Sequence, residues 1–303
     1  MEERPASPPI TLPDGRRLAY AELGDPDGQP LFFFHGTPGS RLVLSERDAL
    51  AQIPGVRLLL PERPGYGFSD PKPDRTLVGW ADDVAALADA LGIERFAVSG
   101  ISGGGPHALA CGYRLPDRVT QVLLLASPSP AGFRGATRGM SFGNRIGLWL
   151  GRLAPGLVRR SIRSFAGSFA ADPERFLDGI ALQMAPPDRQ LMEDATVREA
   201  IARDLREAYR QGGDGHADDG PLAMASRSWG FDLSDVGVPV HLWHGEADTL
   251  VTRAMAEHLA HHLPDCRAHF VPGAGHLLTE HDGVVEAFAQ VLTADKASRE
   301  AEG

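Results

Sequence analysis

Arg95-Phe96-Ala97-Val98-Ser99-Gly100-Ile101-Ser102-Gly103-Gly104-Gly105-Pro106 is the segment of this chain from which the rest can be ordered. Its apolar first half is typical of a buried strand, and its second half breaks into glycines around Ser102 before a helix-like pattern begins. Gly100 to Gly104 fit the pattern G-x-S-x-G, in which small residues two places before and after the serine let a strand and a helix approach closely. The segment therefore predicts a strand, a sharp turn that exposes the Ser102 hydroxyl, and a helix.

The helix that begins near Gly103 would turn its free backbone N–H groups toward any anion formed at Ser102. That arrangement is half of an oxyanion hole. A glycine and serine loop without function fits the same five residues, because patterns of this length recur by chance. The interpretation therefore depends on whether the rest of the chain supplies a base and an acid for the serine.

Composition bounds the class of protein. The 303 residues are 43% apolar and 23% charged, which is typical of a soluble globular chain with room for one large α/β domain and an insertion. The formal charge of −10 argues against nucleic acid as a partner, because phosphate binding requires a basic surface. Cys111 and Cys266 lie far apart without metal-ligand spacing, so we expect two free thiols and no metal site.

The N-terminal residues are charged and proline-rich and are not followed by an apolar signal region. No apolar run is long enough to span a membrane. The sequence therefore predicts a cytoplasmic protein.

Buried strands and helices alternate through the first part of the chain. Continuous apolar runs at 30–35, 56–60, 95–101 and 119–125 are typical of strands covered on both faces, and apolar residues at helical spacing fill 77–91 and 103–115. This alternation predicts an α/β fold with a mostly parallel, doubly wound sheet and helices on both faces.

The alternation stops near Ser127 and resumes with a strand at 238–243, a helix at 253–263, a short strand at 268–271 and a helix at 283–293. Between them the pattern is helical, with a polar loop at 211–219. We therefore predict a core domain of residues 1–128 and 230–303, with a helical lid (cap) of residues 129–229 inserted after the sixth strand. An insertion at the carboxyl end of a strand lies over the ligand crevice of such a sheet.

The first part of the predicted lid is basic and amphipathic, which also fits binding to a membrane surface. Glycines interrupt that pattern and the whole chain is acidic, so we favour lid helices whose apolar face lines a pocket. An apolar, adaptable pocket is then expected, and uncharged acyl groups of modest size should suit it. The candidate lining residues are Phe142, Trp149, Met184, Met192, Met224, Trp229, Val251 and Leu277.

The partners of Ser102 are expected in the loops after the last two strands. A serine needs a base to take its proton, and the base needs an acid to orient it. His276 follows the final strand in a glycine loop, and Asp248 follows the strand before it. Glu246 could also be the acid, and His107, one turn beyond Ser102, could be a second base. Three further histidines share one helix, at 258, 261 and 262, without a convincing set of metal ligands.

In the order of these blocks the chain resembles the α/β-hydrolases, of the lidded single-domain type, over nearly all of its length outside the lid. The blocks are His35-Gly36-Thr37-Pro38-Gly39, Arg63-Pro64-Gly65-Tyr66-Gly67-Phe68-Ser69, the Ser102 turn, Gly245 to Val251, and Gly275-His276. The family spacing selects Asp248 rather than Glu246 as the acid. The resemblance implies that the backbone N–H groups of Thr37 and Gly103 form the oxyanion hole, and that a serine hydrolase works without a cofactor.

The resemblance leaves several activities open. Haloalkane dehalogenases and epoxide hydrolases of this fold carry aspartate at the position of Ser102, so they are disfavoured. Proline iminopeptidases have a similar His-Gly-x-Pro-Gly block, but with glycine at the position of Thr37. Cofactor-free haloperoxidases or perhydrolases, and carbon-carbon bond hydrolases, share the same three residues, and some members of the fold only bind a ligand. Hydrolysis of a carboxylic ester or lactone is the function that the sequence favours.

Overall fold

The computed structural model describes residues 7–140 and 142–300 and contains one large sheet. Two short strands, β1 (Ile10–Thr11) and β2 (Arg17–Leu18), pair only with each other. Seven further strands form the large sheet in the order β3-β5-β4-β6-β7-β8-β9. Their bounds are β3 (Tyr20–Gly24), β4 (Gln29–Phe34), β5 (Val56–Pro61), β6 (Phe96–Ile101), β7 (Val119–Leu125), β8 (Val240–Gly245) and β9 (Cys266–Val271).

The sheet is parallel except at one edge, where β3 runs antiparallel to β5. The predicted mostly parallel sheet is thus confirmed. Alternate residues of a strand point to opposite faces, so each central strand supplies two cores. In β4, Phe32 and Phe34 belong to one core while Leu31 and Phe33 belong to the other.

Helices cover both faces, as the apolar runs predicted. Helices α1 (Leu77–Ala90), α2 (Gly105–Arg114) and α9 (Arg253–His262) contribute to the first core. The second core is closed by α10 (Asp282–Glu300) and a 3₁₀ turn, Ala49–Gln52. Because every residue of β6, β7 and β8 is buried, the carboxyl ends of these strands form a rigid base for the loops that follow them.

The segment between β7 and β8 is helical in the described residues. It contains α3 (Phe142–Leu153), α4 (Pro155–Ala171), α5 (Pro173–Ala181), α6 (Pro186–Leu191), α7 (Ala195–Ala208), α8 (Asp214–Gly220) and a π-helical turn, Pro221–Ala225. We call residues 142–225 the cap segment. The cap segment follows β7. Along the chain, β7 is the fifth strand of the large sheet and not the predicted sixth, because β1 and β2 form a separate sheet.

The predicted polar loop at 211–219 is helical for most of its length. Residues from Asp214 onward form α8, which packs on α4, so the prediction is wrong there.

Across residues 7–140 and 142–300, no helix is both long enough and apolar enough to cross a bilayer.

Candidate active site

Ser102 lies at the sharp turn between β6 and α2. Its φ of +52° is in the left-handed region, and a 3₁₀ turn, Ser102–Gly104, leads into the helix. A side chain on Gly100 would collide with the backbone carbonyl of Gly104, and one on Gly104 would collide with the carbonyl of Phe34. The glycines are therefore required for the close approach of strand and helix, which holds Ser102 in a conformation that costs a non-glycine residue about 1–3 kcal/mol.

His276 and Asp248 lie in the loops that follow β9 and β8, at the same edge of the sheet as Ser102. The His276 Nδ1 and Asp248 Oδ2 atoms are 2.7 Å apart. The other carboxylate oxygen of Asp248 accepts hydrogen bonds from the backbone N–H groups of Leu250 and Val251, at 2.8 and 3.0 Å. With both oxygens engaged, Asp248 fixes the orientation of the imidazole and leaves Nε2 as its free nitrogen.

The alternative acid, Glu246, points elsewhere. It is exposed and forms an ion pair with Arg253 at 2.5 Å. Of the two carboxylates in this loop, the structure therefore brings Asp248 and not Glu246 to the histidine.

The two partners shift each other's pKa. Burial alone would lower the pKa of His276, but the negative charge and hydrogen bond of Asp248 outweigh burial and raise it above its ordinary value. Burial would raise the pKa of Asp248, but His276 holds it below its ordinary value. The pair therefore favours an ionised aspartate beside a histidine that accepts a proton readily.

The loop after β4 places Thr37 beside the serine turn. The backbone nitrogen of Thr37 lies 3.3 Å from the position that a Cβ would take on Gly103, and a Cβ on Gly36 would lie 3.7 Å from Cβ of Ser102. The carbonyl of Gly103 is 2.9 Å from Nδ1 of the buried His107. The structure thus brings both predicted oxyanion residues together, and it uses His107 to hold Gly103 rather than to face Ser102.

This arrangement of the predicted nucleophile, acid, base and amide donors is accompanied by a match to the family model described as alpha/beta hydrolase fold, over residues 29–281. The chain belongs to the α/β-hydrolase fold family. It is 33% identical over 222 residues to a pimeloyl-[acyl-carrier protein] methyl ester esterase of Aromatoleum aromaticum, with 73% of this chain and 81% of the relative covered.

Two further comparisons agree with the family. A non-heme chloroperoxidase of Streptomyces lividans is 27% identical over 252 residues, with 82% of this chain and 84% of the relative covered. The solved structure of a thermophilic esterase from Thermogutta terrifontis superposes with a TM-score of 0.66 at 22% identity, with 95% of this chain and 98% of that chain covered. The structural likeness supports the α/β-hydrolase fold.

A cavity of about 700 Å³ separates the cap segment of this α/β hydrolase from its sheet. Ser102, His276 and Thr37 line its floor, and most of the other lining residues come from the cap segment. Loop residues such as Val43, Val251 and Leu277 complete the wall. Within the described residues, Ser102 Oγ and His276 Nε2 share this cavity without being hydrogen-bonded to each other. Catalytic hydrogen bonds of this kind commonly tighten only when substrate is bound.

Five of the eight predicted pocket residues line the cavity: Met184, Met192, Met224, Val251 and Leu277. The prediction is wrong for two others. Trp149 is 61% exposed on α3, and Trp229 is buried in the first core of the sheet, where its ring lies 6.1 Å from that of Phe231. The side chain of Phe142 lies outside the described residues.

The sequence prediction missed other apolar residues of the cavity wall. They come from α4, α5 and α7, where the helical spacing of apolar residues indicates that they share one face but not that this face lines the cavity. These residues are Val158, Ile162, Phe165, Ile180, Val197 and Ile201.

A fully buried ion pair under the loop that follows β4 was also missed. We call that loop, residues 35–40, the oxyanion loop after its predicted role. Arg63 Nη2 lies 2.8 Å from Oδ2 of Asp219, which comes from α8 of the cap segment. Arg63 also donates to the carbonyl oxygens of His35 and Gly36, at 2.5 and 2.8 Å. The same oxygen of Asp219 accepts from Oγ1 of Thr37, at 2.9 Å. The pair therefore fixes the loop that presents the Thr37 amide.

No group of three or more histidine, cysteine, aspartate or glutamate side chains in residues 7–140 and 142–300 is arranged to hold a metal ion. Of the three helical histidines, His258 stacks on the ring of Phe133 at 4.1 Å, and its ring is tilted by 35° against that of His262 at 4.0 Å.

Proposed function

We propose that this α/β hydrolase is a cofactor-independent serine hydrolase that cleaves a carboxylic ester or lactone of a small, mostly apolar molecule. One observation supports the proposal above others. Ser102 on its strained turn and the hydrogen-bonded pair of His276 and Asp248 open into one cavity. That is the constellation required for nucleophilic attack by a serine.

The steps follow from the roles of these groups. The Oγ of Ser102 attacks the substrate carbonyl while His276 Nε2 takes its proton, and the N–H groups of Thr37 and Gly103 stabilise the oxyanion. His276 then gives the proton to the leaving alkoxide, which departs as an alcohol and leaves an acyl-enzyme. Water attacks the acyl group with His276 again as base, and the acid product and free serine are released. Asp248 keeps the imidazole oriented and stabilises its charge throughout.

The cavity supports the substrate class. Its volume suits a small molecule, and most of its wall is apolar. The similarity to a methyl ester esterase supports an ester as the bond that is cleaved. We therefore propose uncharged acyl groups of modest size, with the methionines at 184, 192 and 224 adapting the wall to the ligand. We further propose that residues 129–229 act as a lid over a core of residues 1–128 and 230–303, and that the enzyme works in the cytoplasm.

A labelling experiment tests the nucleophile. A fluorophosphonate probe should form one adduct on the folded protein, and peptide mapping should locate it at Ser102. Ser102→Ala should abolish labelling and reduce turnover of a short-chain nitrophenyl ester by about 10³-fold or more. Labelling at another residue, or a Ser102→Ala enzyme as active as the parent, would contradict the proposal. A folded parent that binds esters without turnover would instead be a ligand-binding member of the fold.

The substrate class is tested with a separate panel of substrates. Nitrophenyl esters of varied acyl length and charge, lactones and proline amides should be compared at equal concentration. Neutral acyl esters or lactones should have the highest kcat/KM. Preference for proline amides would indicate an iminopeptidase, and preference for anionic acyl esters would show that cap arginines, not apolar residues, bind the acyl group.

The similarity to a bifunctional esterase/perhydrolase of Acinetobacter calcoaceticus, 32% identical over 128 residues, favours one second candidate. This candidate is perhydrolysis, in which hydrogen peroxide replaces water as the attacking nucleophile on the acyl-enzyme. The measurement is peracid formation from a carboxylic acid and hydrogen peroxide. A rate above that of ester hydrolysis, lost in Ser102→Ala, would select this candidate.

A further inference from the structure

Asp188 of α6 is a buried carboxylate that lies against the loop of the base. Its side chain belongs to the cap segment, and the residue is 1% exposed. Oδ2 accepts the backbone N–H of His276 at 2.9 Å, and Oδ1 accepts that of Leu277, also at 2.9 Å. Two neighbouring amides thus bind both oxygens of one carboxylate, in the manner of a backbone anion site.

The glycine before the base is explained by this contact. A Cβ on Gly275 would collide with the carboxylate of Asp188. On the other side of the loop, a Cβ on Gly245 would collide with the carbonyl of Gly275. The loop of His276 is therefore held between the end of β8 and a side chain of the cap segment, 88 residues away from the base in sequence.

Three titratable groups surround the imidazole. Asp248 is hydrogen-bonded to it, Asp188 lies behind its backbone, and the buried His244 lies near the pair. Burial lowers the pKa of His244 and so opposes a positive charge on that ring. Among the described residues, Asp188 has no ion pair with an arginine or lysine that would cancel its charge.

We propose that Asp188 is a positioning residue for His276: its carboxylate fixes the backbone from which the base projects and adds a second negative charge beside the imidazolium that forms during the reaction. This inference rests on the proposed function, because it assigns His276 as the base.

The electrostatics support the geometry. Against burial, which lowers the pKa of His276, Asp248 raises it most and Asp188 adds to the rise. Replacing Asp188 with a neutral residue should therefore lower the pKa of His276. Because only the neutral imidazole accepts the serine proton, the acid limb of the kcat/KM profile should move to lower pH.

The position of Asp188 has a consequence for the cap segment. A carboxylate that fixes the base comes from α6, so the base is correctly placed only while α6 is docked on the sheet domain. The cap segment then contributes to catalysis through the base loop as well as by covering the cavity.

Asp188→Asn is the decisive variant, because it keeps the size of the side chain but removes the charge and one acceptor. We expect kcat to fall by about 10- to 100-fold with little change in KM, since small misplacements of a catalytic group cost rates of this order. The acid limb should move to lower pH. NMR titration of the His276 imidazole, identified by its absence in His276→Gln, should show a lower pKa than in the parent.

Asp178→Asn is the matched control, because Asp178 is a cap carboxylate whose side chain is 68% exposed and pairs with Arg198. It should leave the rate and the pKa of His276 at parental values. Asp188→Glu, which keeps the charge, should retain the raised pKa and recover part of the rate.

Two results would overturn the proposal. One is an Asp188→Asn enzyme with parental kcat and pH profile. The other is a slower enzyme whose His276 pKa is unchanged, which would give Asp188 a structural role alone. Circular dichroism must show that Asp188→Asn and Asp188→Glu fold. If neither folds, the pKa of His276 in the parent decides, because a value at or below about 6.5 would refute the proposed influence of Asp188. The titration needs no turnover, so a parent inactive on every ester would count against the proposed function and not against this inference.

Discussion

Asp219 is a buried carboxylate that contacts residues from both sides of the Ser102 turn. Oδ2 accepts hydrogen bonds from Arg63 and from Thr37, whose amide is a predicted oxyanion donor, and Nε2 of His107 lies 3.2 Å from Oδ1. Burial would raise the pKa of Asp219, but Arg63 and then His107 hold it well below its ordinary value. The residue is therefore a buried charge whose removal would leave the Arg63 guanidinium without a counter-ion.

Asp219→Asn should accordingly be one of the most destabilising single changes in the protein. Breaking a buried ion pair from one side costs about 3–5 kcal/mol, because the remaining charge stays desolvated. Urea unfolding at pH 7 should measure this loss in the free energy of unfolding. Activity of the remaining folded enzyme should also fall, because Arg63, which binds the carbonyl oxygens of His35 and Gly36, loses the charge that holds it in place.

Asp214→Asn provides the control on the same helix. Asp214 is 53% exposed and pairs with Arg159 and Arg163 at the surface, where such pairs contribute about 0–1 kcal/mol. If the two variants lost similar stability, the network under the oxyanion loop would not be the source of the effect.

At the level of elements, the glycines of the turn between β6 and α2 differ from glycines inside the cap helices in the space around them. A Cβ on Gly100 would meet backbone atoms of Gly104, which cannot move without parting strand from helix. A Cβ on Gly179, inside α5, would meet nothing within 4 Å. The two positions therefore respond to alanine in opposite directions.

Gly100→Ala should reduce the free energy of unfolding by about 1–3 kcal/mol or more, the range for overpacking a rigid site, and should slow labelling of Ser102. Gly179→Ala should increase it by about 0.5–1 kcal/mol, because alanine loses less entropy on entering a helix. Thermal and urea unfolding measure both changes. An increase in the free energy of unfolding for both variants would mean that the turn between β6 and α2 tolerates separation of its strand and helix.

The elements that the sequence predicted well are those specified by local signals. Buried apolar runs predicted β4 to β8, and glycine loops after strands pointed to the segments that carry Asp248 and His276. The inward residues of the cap segment were harder to predict, because an amphipathic helix shows which residues share a face but not what that face covers. Trp149 was therefore assigned to the pocket although it is exposed.

Across the whole molecule, the cap segment is attached to the sheet domain by carboxylates that no local pattern indicated. Asp188 binds the loop of His276, and Asp219 binds Arg63 and Thr37 at the oxyanion loop. A third, Asp204 of α7, accepts the backbone N–H and the hydroxyl of Ser40 at 2.8 and 2.6 Å. Each contact joins residues 88 to 182 positions apart, and such pairings depend on the completed tertiary structure.

Asp204 makes the stability of this interface dependent on pH. Burial raises its pKa to about 7, with the hydrogen bonds of Ser40 opposing the rise and Glu62 adding to it. In the unfolded chain an aspartate ionises near pH 3.9, so the folded state binds a proton that the unfolded state has lost. The contribution to stability is fully present below about pH 4 and is lost as the pH rises through about 7.

Asp204→Asn should therefore make the protein less sensitive to pH between about pH 5 and pH 7. The amide keeps an acceptor for Ser40 but does not ionise, so the free energy of unfolding should fall less steeply with pH than in the parent. Urea unfolding at several pH values measures the slope. Glu199→Gln, on the exposed face of the same helix, should retain the parental slope, because that carboxylate is 68% exposed. Parallel curves for parent and Asp204→Asn would show that Asp204 is already ionised in the folded protein, and that the junction between α7 and the oxyanion loop tolerates a buried charge.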